Sequence, residues 1–240
     1  MIRSLKIFCD FDGTVCRSDV RALLFRTFGG EAARQAVALY LKDEIGGDEC
    51  IRRECADVYD LDVDTFNAFI DEQELDAAFP SFVEFCERNN IEIEIISDGF
   101  DYYIKRILSN YKLDHIPVYA NSLRIENNTL IPEFPYLNPY CKRAANCKGT
   151  HVLNNAGDDQ LRIIVGDGIS DRCAADYADV VFAKRKLIQY CRDANISYFE
   201  FSGFKDVRSR IEELLQRKRL NPRHRAEIRR REAFRIEANV

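Results

Sequence analysis

Three short apolar runs in this 240-residue chain each end in a polar turn. Asp10 and Asp12 follow the first run, Ser97 follows the second, and Asp167 and Asp171 follow the third. A single carboxylate after a strand is most often a helix N-cap, so each turn alone is a weak signal. The recurrence of acidic or hydroxyl side chains at three strand ends is what indicates a site.

These side chains need a scaffold that brings strand ends together. The apolar runs Leu5 to Cys9, Ile91 to Ile96 and Leu161 to Val165 are predicted to be buried strands, with a fourth at Val180 to Phe182. Stretches with helical spacing lie between them. Strands that alternate with helices predict an α/β fold with a parallel sheet covered on both faces, with ligands at the carboxyl ends of its strands.

The connecting segments are predicted in less detail. Residues 16–78 have helical spacing throughout, with Ser18 as a candidate N-cap of the first helix. Four of the six prolines fall within 117–139, which predicts a hairpin or a loop excursion and excludes central strands there.

The converging residue types indicate one kind of chemistry. Lys148 stands at a predicted helix start, so the edge of the sheet would gather three or four carboxylates, one hydroxyl and one ammonium. Carboxylates this close repel one another unless a hard divalent cation lies between them, and an all-oxygen shell suits Mg²⁺. Such a cation would then recruit a phosphate.

The motifs resemble the haloacid dehalogenase superfamily. Its phosphatases carry four short motifs in order, matched here by Asp10-Phe11-Asp12-Gly13-Thr14, the Ser97 turn, Lys148, and Gly166-Asp167-Gly168-Ile169-Ser170-Asp171. The resemblance covers about residues 5–215. It implies a Rossmann-like, three-layer parallel-sheet core at 1–15 and 79–215, a small inserted helical cap of the C1 type at 16–78, and a tail at 216–240. The lack of a large insertion after the second motif is similar to the phosphoserine phosphatase branch.

The resemblance also implies roles. Asp10 would attack phosphorus and form an aspartyl phosphate, and Asp12 would protonate the leaving alkoxide and then deprotonate water. Mg²⁺ would be held by Asp10, the Asp12 main-chain carbonyl and Asp167, with Asp171 acting directly or through water.

The phosphoryl oxygens would be bound by Ser97, the main-chain amides of Asp98 and Gly99, and Lys148. Lys142 and Lys184 are the other candidates for the lysine. The helix-start position of Lys148 and its separation of 19 residues from Asp167 favour it.

Substrate choice is expected to lie in the cap. Asp19 and Arg53 stand near the substrate-facing positions of phosphoserine-type enzymes, although a helix N-terminal acid and a solvated helix face explain them equally well. The cysteine-bearing loop before Lys148 and the hydroxyl of Ser170 resemble the methionine-salvage subfamily acting on 2-hydroxy-3-keto-5-methylthiopentenyl-1-phosphate. Phosphoserine is the alternative substrate, followed by phosphocholine-type esters.

Other classes fit less well. A receiver domain has similar acidic residues but is about half this length and has no helical cap. A phosphotransferase on the same scaffold stays an alternative. Cys141, Cys147 and His151 have too few ligands and too wide a spacing for structural zinc, and core packing is the preferred role for Cys9.

Composition gives the remaining expectations. A hydrophobic content of 46%, a charged content of 31% and a net charge of -5 are typical of a soluble globular protein. The expected location is the cytoplasm, because no apolar run approaches the length of a membrane helix and Lys6 and Asp10 interrupt any secretory apolar region. The tail at 216–240 carries a net +6, which leaves -11 on the body. A polyanion-binding tail is the alternative of a different class, but its interleaved glutamates favour a solvated or docked helix. The expected partner is a small-molecule phosphate ester, with a homodimer possible and neither a membrane nor nucleic acid expected.

Overall fold

The computed structural model describes residues 4–139, 141, 143–217 and 220–237, and the side chains of this part up to residue 234. The strands are β1 (Ser4–Cys9), β2 (Glu92–Phe100), β3 (Val118–Glu126), β4 (Thr129–Glu133), β5 (Gln160–Gly166), β6 (Val180–Ala183) and β7 (Phe199–Glu200). The helices are α1 (Val20–Phe28), α2 (Glu31–Leu41), α3 (Gly47–Ala56), α4 (Val63–Asp71), α5 (Phe79–Arg88), α6 (Asp101–Asn110), α7 (Lys148–Asn154), α8 (Arg172–Tyr177), α9 (Lys186–Asp193), α10 (Phe204–Leu215) and α11 (His224–Glu237).

The strands form one seven-stranded sheet in the order β4-β3-β2-β1-β5-β6-β7. The pairs β1–β5, β5–β6, β6–β7 and β2–β3 are parallel, and the β3–β4 pair is antiparallel. The fold prediction is confirmed: strands that alternate with helices give a mostly parallel sheet with flanking helices. The proline-rich segment contains the β3–β4 hairpin at one end of the sheet. The exclusion of central strands from this segment is wrong for β3, which pairs with β2 on one side and with β4 on the other. This pairing is possible because β3 contains no proline: Pro117 precedes it, and Pro132 lies in the edge strand β4.

The chain divides into two compact units. The first contains the described residues of 1–10, 76–94 and 148–240, and the second contains 11–75 and 95–147. Almost all of the predicted cap segment lies in the second unit, together with β3 and β4. The predicted cap and core boundaries stay a prediction.

Two local details differ from the sequence prediction. The N-cap of α1 is Asp19, not Ser18, because the Asp19 carboxylate accepts a hydrogen bond from the main-chain nitrogen of Ala22 at 2.9 Å. Strand β2 does not stop at Ile96 but continues to Phe100, and its register with β3 shifts between these two residues. The polar Ser97 turn is therefore an irregular strand end.

The described part of the tail contains α11, which packs against α8 in the first unit. The Arg230 side chain is 7% exposed, and both of its terminal nitrogens lie 3.0 Å from Asp179 Oδ1. Arg223 donates to the main-chain oxygens of Ala175 and Asp176. These arginines make internal contacts in the chain. Lys218 and Arg219, which contribute to the predicted basic tail, lie outside the described residues.

Among the described residues, no helix combines the length and the apolar character that crossing a bilayer requires.

Candidate active site

In the first unit, one group of charged residues collects where parallel strands end. Asp10 follows β1, Asp167 follows β5, and these two strands are parallel neighbours, so their carboxyl ends share one edge. Lys148 is the first residue of α7, and its Nζ lies 2.6 Å from Asp10 Oδ1 and 2.7 Å from Asp171 Oδ1. We call Asp10, Lys148, Asp167 and Asp171 the carboxylate–lysine cluster.

Asp171 organises this cluster with both of its carboxylate oxygens. Its Oδ1 accepts from Lys148, and its Oδ2 accepts from the main-chain nitrogens of Asp167 at 2.9 Å and Gly168 at 2.8 Å. A Cβ at Gly166 would lie 2.5 Å from Asp171 Cγ, so glycine is required for this close approach. The acidic loop is thus wrapped around a fully buried carboxylate.

The cluster carries more buried negative charge than its lysine can balance. Lys148 is 1% exposed, and although burial disfavours its charged form, the carboxylates of Asp10 and Asp171 raise its pKa well above the usual value. Burial and the Asp171 carboxylate raise the pKa of Asp10, against the effect of Lys148. Burial and Asp171 likewise raise the pKa of Asp167, with Arg185 opposing at 2.9 Å.

These charges fit a hard cation. Oxygens of Asp10, Asp167 and Asp171 lie within 4.8 Å of one another, which is the donor type and spacing that a small divalent ion takes. Lys148 and Arg185 together offer two positive charges for three carboxylates, which leaves the excess negative charge that such an ion would neutralise.

A second group of residues, in the second unit, surrounds Asp12. Tyr103 donates from its hydroxyl to Asp12 Oδ2 at 2.6 Å, and Ser97 Oγ donates to the same oxygen at 3.3 Å. Asp12 Oδ1 accepts from the main-chain nitrogens of Val20 at 2.9 Å and Arg21 at 3.3 Å, at the start of α1. We call Asp12, Ser97 and Tyr103 the Asp12 network.

The network holds Asp12 near the range where it can exchange a proton at neutral pH. Burial, followed by the Asp19 carboxylate, raises the pKa of Asp12 to about 6, although the Tyr103 hydroxyl and Arg21 act in the opposite direction. A carboxyl group in this range can both give and take a proton.

The Ser97 turn is held by neighbouring main-chain and amide groups. Gly99 donates from its main-chain nitrogen to Ser97 Oγ at 3.0 Å, and a Cβ at Gly99 would lie 1.8 Å from the Tyr103 hydroxyl. The Asn146 side chain donates to the main-chain oxygen of Ser97 at 2.8 Å, and its main-chain nitrogen donates to the Asp98 carboxylate at 2.8 Å. The loop before Lys148 thereby fixes the turn.

The structure places the two predicted cap residues differently. The Asp19 carboxylate is used as the α1 cap, but it also acts electrostatically on Asp12. The Arg53 side chain lies on the exposed side of α3, 47% exposed and paired with Glu49 at 2.8 Å. Its neighbour Glu54 is buried, at 3% exposure.

Sequence reasoning missed several contributors to the two groups. Tyr103, Arg21, Glu54 and Asn146 are not among the residues that the sequence analysis assigns to the site. A tyrosine hydroxyl on an otherwise apolar helix face was the one available signal, because a buried hydroxyl needs a partner. Of the alternative lysines, Lys184 lies over the Phe201 ring, 4.9 Å from its centroid, and Lys142 lies outside the described residues.

Comparison with known proteins is consistent with this geometry. The chain is 27% identical over 216 residues to the 2-hydroxy-3-keto-5-methylthiopentenyl-1-phosphate phosphatase of Bacillus cereus, covering 89% of this chain and 98% of that protein. The protein of the same name from Bacillus anthracis is 28% identical over the same share of both. A phosphoserine phosphatase structure holding a phospho-aspartyl intermediate analogue matches with a TM-score of 0.66 at 17% identity, covering 87% of this chain and 99% of that one.

The family comparison covers the whole set of motifs from β1 to α8. Residues 7–176 match the family described as haloacid dehalogenase-like hydrolase. This match confirms the predicted family and the prediction of a hydrolytic enzyme. The chain therefore belongs to the haloacid dehalogenase-like hydrolase family.

Proposed function

We propose that the chain is a Mg²⁺-dependent phosphatase that hydrolyses a small-molecule phosphate monoester through an aspartyl phosphate on Asp10. The observation that carries the proposal is the buried contact of 2.6 Å between Asp10 and Lys148, within a cluster of three carboxylates. This pair puts a nucleophilic oxygen beside a fixed positive charge, which is what transfer of an anionic phosphoryl group requires.

Asp10 acts as the nucleophile. One carboxylate oxygen forms a bond to phosphorus as the bond from phosphorus to the ester oxygen breaks. Lys148 offsets the negative charge of the phosphoryl oxygens, and Ser97 with the main-chain amides of Asp98 and Gly99 donates hydrogen bonds to them. Water then attacks the aspartyl phosphate, which releases phosphate and restores the Asp10 carboxylate.

Asp12 carries the proton in both steps. With a pKa near 6, its protonated form can donate to the departing alkoxide, and the resulting carboxylate can take a proton from the attacking water. The hydrogen bonds from Tyr103 and from the start of α1 hold the carboxyl group in one orientation.

Mg²⁺ would be held by Asp10, Asp167 and the main-chain oxygen of Asp12, with Asp171 in support. The fit rests on the hard oxygen donors and on the excess negative charge of the cluster. When bound, the ion would neutralise charge on the phosphoryl group. Asp171 also acts without the ion, because it holds Lys148 and the Gly166–Gly168 turn in place.

The proposed substrate is 2-hydroxy-3-keto-5-methylthiopentenyl-1-phosphate. The support is the similarity to phosphatases of that name along nearly their full length. Phosphoserine and phosphocholine-type esters are the alternatives.

The proposal is tested by Mg²⁺-dependent release of phosphate from p-nitrophenyl phosphate. Asp10→Asn is expected to lower kcat by at least about a thousandfold, because the nucleophile is lost. Asp158→Asn, a change at an exposed residue, is the matched control and should keep full activity. Equal rates for the wild type and Asp10→Asn would rule out Asp10 as the nucleophile.

A further inference from the structure

Next to the Asp12 network lies an arginine whose guanidinium has no hydrogen-bond or ion-pair partner among the described residues. Arg21 is half-buried near the start of α1, where the carboxylates of Glu54, Asp98 and Asp19 outweigh the opposing effect of burial and raise the pKa of its guanidinium. Within the part of the chain that the structure describes, this guanidinium makes no hydrogen bond or ion pair with any of them. We call Arg21, Glu54, Asp19 and Asp98 the Arg21 cluster.

Glu54, the second residue of the cluster, has a buried carboxylate oxygen that lacks a donor among the described residues. Its side chain is 3% exposed, and its Oε2 is buried with no hydrogen-bond partner among the described residues. Burial raises the pKa of Glu54, and the neighbouring Asp19 and Asp98 add to this, whereas Arg21 lowers it. A buried carboxylate oxygen without a donor is costly, so this position lacks a hydrogen-bond donor that a bound molecule could supply.

The position of the cluster relates it to the leaving group. The Arg21 main-chain nitrogen donates to Asp12 Oδ1 at 3.3 Å, so the cluster begins at the carboxyl group proposed to protonate the leaving oxygen. A leaving group released beside Asp12 is therefore within reach of the Arg21 side chain.

The charge of the cluster selects among leaving groups. One guanidinium already faces three carboxylates, so another carboxylate would meet net repulsion, whereas an uncharged oxygen can accept from Arg21 without it. A hydroxyl group can also donate to Glu54 Oε2, which a carboxylate cannot.

From these observations we infer that Arg21 and Glu54 bind the leaving group, and that the leaving group is uncharged and carries hydroxyl or carbonyl oxygens. This inference deepens the proposed function and rests on it. Arg21 donates to one oxygen of the leaving group, and Glu54 accepts from a hydroxyl on another. Arg53 lies on the exposed side of the same helix as Glu54, where it pairs with Glu49.

The test uses two esters that differ only at the end of the leaving group. Glycerol 3-phosphate carries an uncharged hydroxymethyl group where 3-phosphoglycerate carries a carboxylate. The wild type is expected to favour glycerol 3-phosphate in kcat/KM by about tenfold or more, and Arg21→Gln to lower kcat/KM for that ester by about tenfold. Glu54→Gln, which removes a negative charge, is expected to narrow the preference between the two esters.

The control variants are Arg26→Gln on α1 and Glu44→Gln after α2, which change exposed side chains. Both should keep the wild-type ratio of kcat/KM between glycerol 3-phosphate and 3-phosphoglycerate. A preference for 3-phosphoglycerate would overturn the inference, and so would an Arg21→Gln variant with the wild-type kcat/KM for glycerol 3-phosphate. So would a higher kcat/KM for phosphoethanolamine than for glycerol 3-phosphate, since the cluster would then select a cation. Failure of the wild type to hydrolyse p-nitrophenyl phosphate would instead count against the proposed function.

Discussion

The carboxylate–lysine cluster and the Asp12 network both present a buried aspartate, but they treat it in different ways. Asp10 is held by an ammonium at 2.6 Å, within a set of charges that includes two more carboxylates. Asp12 is held by neutral donors: two hydroxyl groups and two main-chain nitrogens. A charged partner suits a group that must act as an anion, and neutral donors suit a group that must exchange a proton.

The two regions also differ in what it costs to bury their polar groups. The cluster keeps buried charge only because each member compensates another, so the loss of one member should affect all of them. The Asp12 network contains hydrogen bonds whose individual loss is smaller. Changes in the cluster are therefore expected to reduce both activity and stability more than changes in the network.

The largest effect is expected for Lys148→Met. The change leaves Asp10 and Asp171 buried without their counter-ion, which should lower kcat by at least about a thousandfold and destabilise the fold by about 3–5 kcal/mol. Lys186→Met, at the exposed first residue of α9, is the matched control. Phosphate release and thermal unfolding measure the two effects, and a variant as stable as the wild type would show that the cluster is not interdependent.

Asp12→Asn should have the next largest effect and should reveal the raised pKa. We expect kcat to fall by about a hundredfold or more, because the proton carrier is lost. The folded-state pKa of about 6 lies above the unfolded value, so the stabilisation that Asp12 gives at low pH is lost as the pH rises through about 6.

An asparagine at position 12 does not titrate. The difference in Tm between the wild type and Asp12→Asn should therefore shift in favour of the variant between pH 4 and pH 7, measured by thermal scans. Asp158→Asn is again the control and should show no such shift. A difference that stays constant with pH would contradict the raised pKa.

The smallest effect is expected for Tyr103→Phe. It removes one neutral donor from Asp12 Oδ2, so it should lower stability by about 1 kcal/mol and kcat by only several-fold. The Tyr103 hydroxyl lowers the pKa of Asp12, so its loss should raise that pKa. The change of kcat with pH that follows the ionisation of Asp12 should then move to higher pH.

Tyr102→Phe provides the matched control, since the neighbouring hydroxyl donates to Asn67 and not to Asp12. A pH profile of Tyr103→Phe that coincides with the profile of the Tyr102→Phe control would exclude Tyr103 from the tuning of Asp12.

Much of the fold and of the cluster was predictable, for a local reason. Apolar runs that end in acidic turns identify β1 and β5, and parallel pairing of these strands then brings Asp10 and Asp167 to one edge. The cap contacts were less predictable, because α1 and α3 have charged residues on several sides. Arg53 and Glu54 are adjacent in sequence, but the 100° between successive helical residues puts one in solvent and buries the other.

The sequence by itself determined the strands β1, β2, β5 and β6, the acidic turns and the family, since these depend on residue types at fixed short spacings. Only the tertiary structure decided that the Tyr103 hydroxyl reaches Asp12 and that Arg21 and Glu54 come near enough to interact electrostatically. The physical reason is that burial and side-chain direction follow from how helices pack, and packing joins residues such as Asp12 and Tyr103 that are 91 positions apart along the chain.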